Sequence, residues 1–426
     1  MTKTATIPWK PFSDKHKQYI RQAMQSRMCV AEGAIRSGKT INHCIIAANY
    51  LETCKDKIHL ASGSTVGNAK LNIGDCNGFG LEYLFRGRCR WGHYKANDAL
   101  IIQTKTGEKI VIFAGGGKAD SYKRILGNSY GMWIATEINE HFDSPDSRIS
   151  FIKVALGRQL AAEQPFVLWD LNPCNPGHDI YENYIDKYLD SYNGYLYQHF
   201  TIEDNLAITP ERRAEIEQQY VVGSIWYRRD ILGERCIAEG LVYPMYEEAL
   251  TDDLPEKYED YCLSIDYGTQ NAFAAIKWGL SKGVWYAYDN YYHSGRDTGR
   301  QKTDADYVVD LDDFTEDIPL QYGEKIETII DPSAASFIAA LKKNHRYKVR
   351  KADNSIADGL RETATCMSNG NIKISNKLEK WKKEVSGYMW DNKKSDETPV
   401  KDKDHDMDAM RYFVKTKHIV RLKRPN

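Results

Sequence analysis

Residues 33–40 read GAIRSGKT, a full match to the phosphate-binding loop pattern G-x-x-x-x-G-K-[S/T]. The apolar run MCVA at residues 28–31 precedes this stretch, and a helix is predicted over residues 40–51 after it. A strand, a glycine-containing loop and a helix in this order place a helix N-terminus against a bound anion. The stretch therefore predicts an α/β nucleotide-binding domain in the first half of the chain.

Each fixed position of the loop pattern has a chemical reason. Gly33 and Gly38 allow successive backbone N–H groups to curl around a phosphate, and Ser37 lies between them. Lys39 is expected to neutralise the β- and γ-phosphates, and the Thr40 hydroxyl to ligate magnesium. We therefore expect ATP with Mg²⁺ as the cofactor of this domain.

Hydrolysis of ATP requires further polar residues near the loop. Arg36 is predicted to stabilise charge that develops on the γ-phosphate. The apolar run GMWIATE ends in Glu137, which we expect to polarise the attacking water. The preceding position, usually an aspartate, is Thr136, so a magnesium ligand is missing there or is weak. Glu140 remains an alternative base, and Asn172 in WDLNPCNP is a predicted γ-phosphate sensor or else a turn residue.

The composition is that of a soluble protein. The chain has 426 residues, 42% hydrophobic and 27% charged, with a formal net charge of -1. No apolar stretch is long enough for a membrane span, and no secretory signal is visible, so we expect no membrane association and a cytoplasmic location. The nine cysteines show no CxxC pair, which argues against a zinc site or a disulfide framework. Balanced charge favours reversible contact with nucleic acid over tight wrapping.

The chain is predicted to divide into two domains. Alternating strands and helices in residues 1–238 indicate a mostly parallel sheet covered on both faces. Residues 239–259 mix glycine, proline and acids and are predicted to form a linker. In residues 260–426 three strands in a meander precede alternating helices and strands, which is the order of an RNase-H-like sheet. We expect an N-terminal P-loop ATPase domain and a C-terminal RNase-H-like domain.

The second half places acids at the ends of predicted elements. Asp266 closes one strand, Asp331 closes a later one, and Asp408 lies at the start of the last helix with His405 on the same helical face. Gathered carboxylates suit hard divalent cations, and two such ions can activate water against a phosphodiester. We predict Asp266, Asp331 and Asp408 as ligands of two Mg²⁺ or Mn²⁺ ions and His405 as a helper ligand or proton carrier. Lesser candidates are the neighbouring acids Asp404 and Asp406.

Taken together, these motifs resemble the large terminase subunits of tailed bacteriophages. The resemblance rests on GAIRSGKT, the NPCNP segment, Asp204-Asn205, ILGE at residues 231–234, EGLVY at residues 239–243 and the terminal pattern DHxxDAxRY at residues 404–412. It covers nearly the whole chain, and Thr136 is its main departure from the family.

The resemblance implies a subunit that packages viral DNA. ATP hydrolysis would move double-stranded DNA into the procapsid, and the second domain would be a metal-dependent endonuclease that cuts concatemers. Implied partners are a small terminase subunit and the portal protein of the procapsid, with the chain in the host cytoplasm. Two other interpretations remain: a helicase or repair ATPase whose second domain only binds DNA, and a nucleotide switch without steady turnover.

Overall fold

The computed structural model describes residues 12–189, 193–268, 272–391 and 398–419. The chain forms two compact units, the first comprising Met1–Arg213 and Tyr227–Ile237, the second Ala214–Trp226 and Ala238–Asn426. Neither unit is therefore one continuous piece of chain, because the chain enters the second unit, returns to the first and leaves it again.

The first unit is built on an eight-stranded sheet of order β3-β4-β5-β2-β6-β7-β1-β8. Its strands are β1 (Met28–Gly33), β2 (Ile58–Gly63), β3 (Cys89–Tyr94), β4 (Asn97–Thr104), β5 (Gly107–Gly115), β6 (Met132–Ala135), β7 (Phe166–Leu171) and β8 (Tyr195–Phe200). All neighbours pair in parallel except in the meander β3-β4-β5. Residues 99–113 therefore form a hairpin, with its turn next to Gly107.

Helices lie before, between and after these strands, and the last of them continues into residues of the second unit. They are α1 (Asp14–Ala23), α2 (Lys39–Thr53), α3 (Val66–Ala69), α4 (Leu81–Leu84), α5 (Phe151–Gly157), α6 (Asp186–Leu189) and α7 (Pro210–Glu217). Short 3-10 and π segments are Lys70–Asp75, Cys76–Gly78, Ser121–Ile125, Ile138–Glu140, Tyr181–Ile185, Ile202–Asp204 and Tyr227–Ile231. Alternate residues of β1 belong to separate apolar cores, Cys29 to one and Val30 to the other. Both faces of the sheet are thus covered, as the continuous apolar strands predict.

The second unit contains a seven-stranded sheet of order β14-β13-β10-β11-β12-β15-β9. Its strands are β9 (Leu250–Thr251), β10 (Asp260–Asp266), β11 (Ala272–Ser281), β12 (Val284–Ser294), β13 (Ile326–Ile330), β14 (Tyr347–Lys351) and β15 (Ile372–Ser375). Its helices are α8 (Tyr246–Ala249), α9 (Gly295–Thr298), α10 (Asp304–Phe314), α11 (Ala335–Lys343), α12 (Ile356–Ser368), α13 (Glu379–Gly387) and α14 (His405–Lys417). The meander β10-β11-β12 is antiparallel and β13 pairs in parallel with β10, which confirms the predicted RNase-H-like order.

The segment predicted as a linker carries structure of its own. Residues 239–259 contain α8 and β9, and β9 pairs with β15 in the second sheet. Val242, Tyr243 and Ala249 are buried in the apolar core of the second unit. The glycine, proline and acids of this segment suggested a linker, but its few apolar side chains attach it to the sheet. The boundary between the units therefore lies at residues 237 and 238, with residues 214–226 also in the second unit.

Candidate functional sites

The loop at residues 33–40 is held by backbone contacts with neighbouring segments of the first unit. Gly33 has φ +149°, and a Cβ on it would lie 1.8 Å from the carbonyl oxygen of Phe200, so only glycine fits there. The Ala34 N–H donates to that same oxygen at 2.9 Å, and the Ile35 N–H donates to the Asp230 carbonyl at 2.9 Å. Gly38 also has positive φ, +91°, where the loop turns into α2.

The Lys39 ammonium lies inside this loop and is buried. It donates to the carbonyls of Gly33 at 2.9 Å and Ala34 at 2.7 Å, to the Ser37 hydroxyl at 3.2 Å and to Oδ1 of Asn172 at 3.1 Å. Burial lowers the pKa of Lys39 to about 8, and nearby carboxylates oppose that shift. The structure thus brings Asn172, which follows β7, to the lysine of the loop.

An acid that the sequence analysis did not single out lies beside the loop. Asp170, in β7, is 3% exposed and accepts from the Thr136 hydroxyl at 3.0 Å and the Glu137 N–H at 3.2 Å through Oδ1. Burial raises the pKa of Asp170, while Lys39, the Glu137 N–H and the Thr40 hydroxyl oppose the rise. One signal for it was available: it is the single charge in the otherwise apolar strand FVLWDL at residues 166–171.

Glu137 occupies an unusual backbone position. It has φ +52° and lies directly after Thr136 at the end of β6, with its side chain partly buried. Burial raises the pKa of Glu137, Asp170 and Glu140 raise it further, and Lys39 opposes them. Glu140, the alternative base, is exposed. A partly buried carboxylate with a raised pKa near a lysine is the kind of group that general-base chemistry uses.

Arg36 lies at the exposed tip of the loop. Its φ is +57°, and its carbonyl oxygen accepts from the side-chain amide of Asn205 at 2.6 Å. The side chain itself is exposed to solvent, which allows it to turn towards an occupant of the loop. Asn205 of the Asp204-Asn205 pair noted in the sequence therefore contacts the loop backbone.

The acids of the second unit meet at one edge of its sheet. Ile265 pairs with Ile330 in parallel strands, so Asp266 and Asp331 follow these strands at the same end. The N-terminus of α14 lies here as well, since Nδ1 of His405 is 2.8 Å from Oδ2 of Asp266. Residues far apart in the chain are thus collected at the carboxyl end of the parallel strands, as predicted.

Asp408 and Asp331 already have protein partners. Oδ1 of Asp408 accepts from the buried guanidinium of Arg411, at 2.7 Å from Nη2 and 3.2 Å from Nε. Asp331 accepts from the Ser333 N–H at 2.6 Å and from the side-chain amide of Asn354 at 3.3 Å. Burial alone would raise the pKa of Asp331, but hydrogen bonds, first of all from Ser333, lower it overall.

The electrostatics of this edge reflect crowded acids. Burial raises the pKa of Asp266, while its hydrogen bond with His405 opposes the rise and Asp408 adds to it. Burial would lower the pKa of His405, but Asp266, Asp404 and Asp408 raise it overall. Burial and then Asp408 raise the pKa of Asp404. A group of like charges of this kind attracts a cation or a proton.

The carboxylates of Asp266, Asp331 and Asp408 suit divalent cations because of the type of oxygen ligand that they offer. Carboxylate oxygens are the ligands that Mg²⁺ and Mn²⁺ prefer. Across the described ranges, however, no group of three or more His, Cys, Asp and Glu side chains is arranged to hold a metal ion. One oxygen of each of two acids already has a protein partner, since Nδ1 of His405 contacts Oδ2 of Asp266 and Arg411 donates to Oδ1 of Asp408.

Asp406 is buried in the protein behind the start of α14. It is fully buried, its backbone N–H donates to Glu384 at 2.7 Å, and its Oδ2 accepts from Asn290 at 2.9 Å. Burial and then Asp406 raise the pKa of Glu384 well above its ordinary value. These two carboxyls support the start of α14 from behind, which argues for a structural role for Asp406.

Solved structures of high similarity exist for the whole chain. The large terminase of a thermophilic bacteriophage in complex with ADP is 32% identical, with a TM-score of 0.79 over 95% of this chain and 99% of that chain. Another crystal form of the same phage protein is 31% identical, with a TM-score of 0.80 over 96% and 99%. Its complex with ATP-gamma-S is 31% identical, with a TM-score of 0.78 over 95% and 99%.

No protein-family model and no curated protein matches this chain. In the part of the chain that the structure describes, every helix is too short or too polar to cross a membrane. The identity to the thermophilic phage protein and the coverage of both chains confirm the family that the sequence motifs indicated, and with it the pairing of an ATPase and a nuclease fold. This chain belongs to the large-terminase family of the bacteriophages.

Proposed function

We propose that this chain is the ATP-hydrolysing and DNA-cutting subunit of a viral DNA-packaging motor. ATP hydrolysis in the first unit would drive double-stranded DNA into the procapsid, and the second unit would cut concatemeric DNA. One observation carries the proposal most directly. The loop lysine, Lys39, contacts Asn172. Asn172 directly follows the strand that carries Asp170, which lies beside Thr136 and Glu137. That arrangement joins phosphate binding to groups suited to hydrolysis.

In the ATPase reaction the loop would hold the nucleotide phosphates through its backbone N–H groups. Lys39 would exchange its bonds with loop carbonyls for phosphate oxygens, and Glu137 would orient the attacking water and take its proton. Arg36 would turn in to stabilise the negative charge on the γ-phosphate. The Thr40 hydroxyl would be a ligand of the nucleotide's Mg²⁺, which would supply charge neutralisation. Asn172 would sense the γ-phosphate because it already lies on Lys39.

In the nuclease reaction Asp266, Asp331 and Asp408 would hold two Mg²⁺ or Mn²⁺ ions. Such ions supply a polarised water and stabilise the leaving oxygen of a phosphodiester. His405, whose Nδ1 is 2.8 Å from Asp266, would carry a proton to or from this edge. Arg411 would release Asp408 when the cations bind, since both compete for the same carboxylate oxygens.

The proposed partners follow from membership of the family. Double-stranded DNA would be contacted mainly through phosphates, so its binding should weaken steeply with salt. A small terminase subunit would recognise the packaging site, and the portal protein would dock the chain transiently on the procapsid in the host cytoplasm. No membrane partner is proposed.

A second function is favoured by one specific observation. Because Asp266 and Asp408 already bond to His405 and Arg411, the second unit could bind DNA without cutting it. The chain would then be a DNA-dependent ATPase whose second unit only grips its substrate. The two functions differ in whether cutting requires the aspartates.

The test compares plasmid cleavage in Mg²⁺ or Mn²⁺, without ATP, by the wild type, Asp266→Ala and Asp331→Ala. The proposal expects cutting by the wild type alone, while both variants keep DNA-stimulated ATP turnover. Lys39→Ala is the reciprocal control, and it should cut DNA but lose turnover. Equal cutting by all samples would show that the acids are structural and would leave the gripping ATPase. Turnover of the wild type no higher than that of Lys39→Ala would exclude the motor.

A further inference from the structure

The end of β6 lacks an acid where an ATPase of this kind usually has one. Thr136 stands directly before Glu137, and its hydroxyl cannot replace a carboxylate as a charged magnesium partner. The neighbouring strand β7 supplies a carboxylate to the same place. Ala135 pairs with Trp169. The residues that directly follow these two, Thr136 and Asp170, are joined by a hydrogen bond of 3.0 Å.

The two oxygens of Asp170 have different surroundings. Oδ1 accepts from the Thr136 hydroxyl and the Glu137 N–H. Oδ2 is buried and has no hydrogen-bond partner among the described residues. The Thr40 hydroxyl, at the end of the phosphate-binding loop, lies close enough to the carboxylate to lower its pKa. Oδ1 therefore holds the turn that carries Glu137, while Oδ2 has no hydrogen-bond donor among the described residues.

His43 in α2 lies near Oδ2 but does not neutralise it. Nδ1 of His43 is 4.0 Å from Oδ2, and Nε2 of His43 is 2.8 Å from the Tyr19 hydroxyl. Burial, followed by the charge of Lys39, lowers the pKa of His43 to about 3, so its ring is neutral. Lys39 is the cation whose charge acts most on Asp170, and its hydrogen bonds go to the loop and to Asn172.

A purely structural role would not require a charged group at this position. The amide oxygen of an asparagine could accept from Thr136 and Glu137 equally well, without the cost of burying a charge. An ionised carboxylate with an unused oxygen is stabilised when a cation comes near it. The unused oxygen of Asp170 faces α2, with Nδ1 of His43 at 4.0 Å. The Thr40 hydroxyl, where the proposed function places the magnesium ion of the nucleotide, lies in the same helix and acts on the same carboxylate.

We infer that Asp170 is the carboxylate that positions the nucleotide-bound magnesium ion, in place of the acid missing at Thr136. The inference rests on the proposed ATPase function. It places the magnesium-positioning carboxylate on β7, the strand directly before the proposed γ-phosphate sensor Asn172. Asp170 would do so together with the Thr40 hydroxyl, while its Oδ1 keeps Glu137 at the same turn. The magnesium site and the water-activating group are thus tied to one side chain.

The test measures the Mg²⁺ concentration that half-saturates binding of a fluorescent, non-hydrolysable ATP analogue to the full chain. Asp170→Asn keeps the shape and the acceptor for Glu137 but removes the charge. We expect the half-saturating Mg²⁺ concentration to rise by on the order of 10- to 100-fold. Binding of the analogue in EDTA should stay unchanged. Glu163→Gln, an exposed acid paired with Lys55 in the same unit, is the matched control and should behave as the wild type.

A second readout separates this role from a structural one. Because a buried charge is removed, the Tm of Asp170→Asn without nucleotide should not fall by more than about 4 °C. An unchanged Mg²⁺ requirement overturns the inference, as does an equal loss of affinity with and without Mg²⁺. Failure of the variant to fold also overturns it, since Asp170 would then be structural. If the wild type binds the analogue without any Mg²⁺ dependence, the proposed ATPase function fails first.

Discussion

The phosphate-binding loop and the acid edge of the second sheet are built in different ways. The loop consists of consecutive residues, and its shape depends on backbone geometry at Gly33 and Gly38. The acid edge collects Asp266, Asp331 and Asp408 from the ends of two strands and from a helix, and bonds within the protein use at least one oxygen of each. A site made from contiguous backbone is shaped before its ligand arrives. A site made from distant side chains depends on the strands and helices that bring them together.

The largest expected effect comes from adding one methyl group to the loop. Gly33→Ala places a Cβ 1.8 Å from the Phe200 carbonyl oxygen, so the end of β1 must move. We expect loss of nucleotide binding and a fall of about 4 kcal/mol in the free energy of unfolding of the first unit. Binding of a fluorescent ATP analogue and denaturant unfolding measure the two effects.

The matched control for this change is Gly157→Ala at the end of α5. A Cβ there meets nothing within 4 Å, so binding and unfolding should match the wild type. Normal ATP binding by Gly33→Ala would show that the loop shape does not depend on the contact with Phe200, and the contrast with the acid edge would disappear.

The first unit also contains a side-chain network that depends on distant residues. Arg235 donates to the buried carboxylate of Glu32 at 2.6 Å and to Asp186 at 2.8 Å, and its guanidinium lies 3.8 Å from the Tyr181 ring centroid. Glu32 directly precedes Gly33. Arg235→Ala would leave that carboxylate with only tyrosine hydroxyl donors, and we expect a loss of about 3 kcal/mol in the free energy of unfolding.

Urea unfolding measures this loss, and Arg148→Ala is its control. Arg148 pairs with Asp146 on the surface, with an exposed side chain, and its removal should leave stability unchanged. Equal stability of Arg235→Ala and the wild type would mean that the segment after residue 226 does not support β1. The loop would then be independent of tertiary contacts on this side.

The smallest effect is expected behind the acid edge. Burial and then Asp406 raise the pKa of Glu384 in the folded chain above its value in the unfolded chain. At pH values between these two pKa values, Glu384 therefore takes up a proton when the chain folds. Wild-type stability therefore falls as the pH rises through that window. Glu384→Gln keeps an acceptor for the Asp406 N–H and cannot ionise, so its stability relative to the wild type should grow by about 1–2 kcal/mol from slightly acidic to slightly alkaline pH.

Thermal unfolding across that pH range tests this expectation. Glu379→Gln, an exposed acid on the same helix, is the control and should show no pH-dependent difference. A constant difference between Glu384→Gln and the wild type at all pH values would show that Glu384 is ionised in the folded chain. The acids of this edge would then be less crowded than their positions suggest.

The sequence predicted more of the first site than of the second. GAIRSGKT with its flanking strand and helix was sufficient, because residues close in the chain decide its backbone. Asp266 and Asp331 were singled out because strand ends could be read from apolar runs, and Asp408 because it lies at the start of the last predicted helix. The bond of His405 to Asp266 was not predicted, because the two residues lie 139 positions apart. The bond of Arg411 to Asp408 is an i, i+3 contact on one helix, a spacing that the sequence does contain.

The segment predicted as a linker is a further case in which the sequence did not predict a tertiary contact. Residues 239–259 have a linker-like composition, but β9 joins the second sheet through its pairing with β15. Two residues suffice for that pairing, and so short a strand leaves no periodic pattern in the sequence.

By itself, the sequence determined the class of both units, the phosphate-binding loop and the acids at strand ends. These features depend on short-range backbone sterics and on apolar periodicity, which are properties of neighbouring residues. Only the tertiary structure decided that Asp170 lies beside Thr136 and that Arg235 reaches Glu32. Such contacts depend on which strands become neighbours and on their register, and burial of whole strands, not any local pattern, determines both.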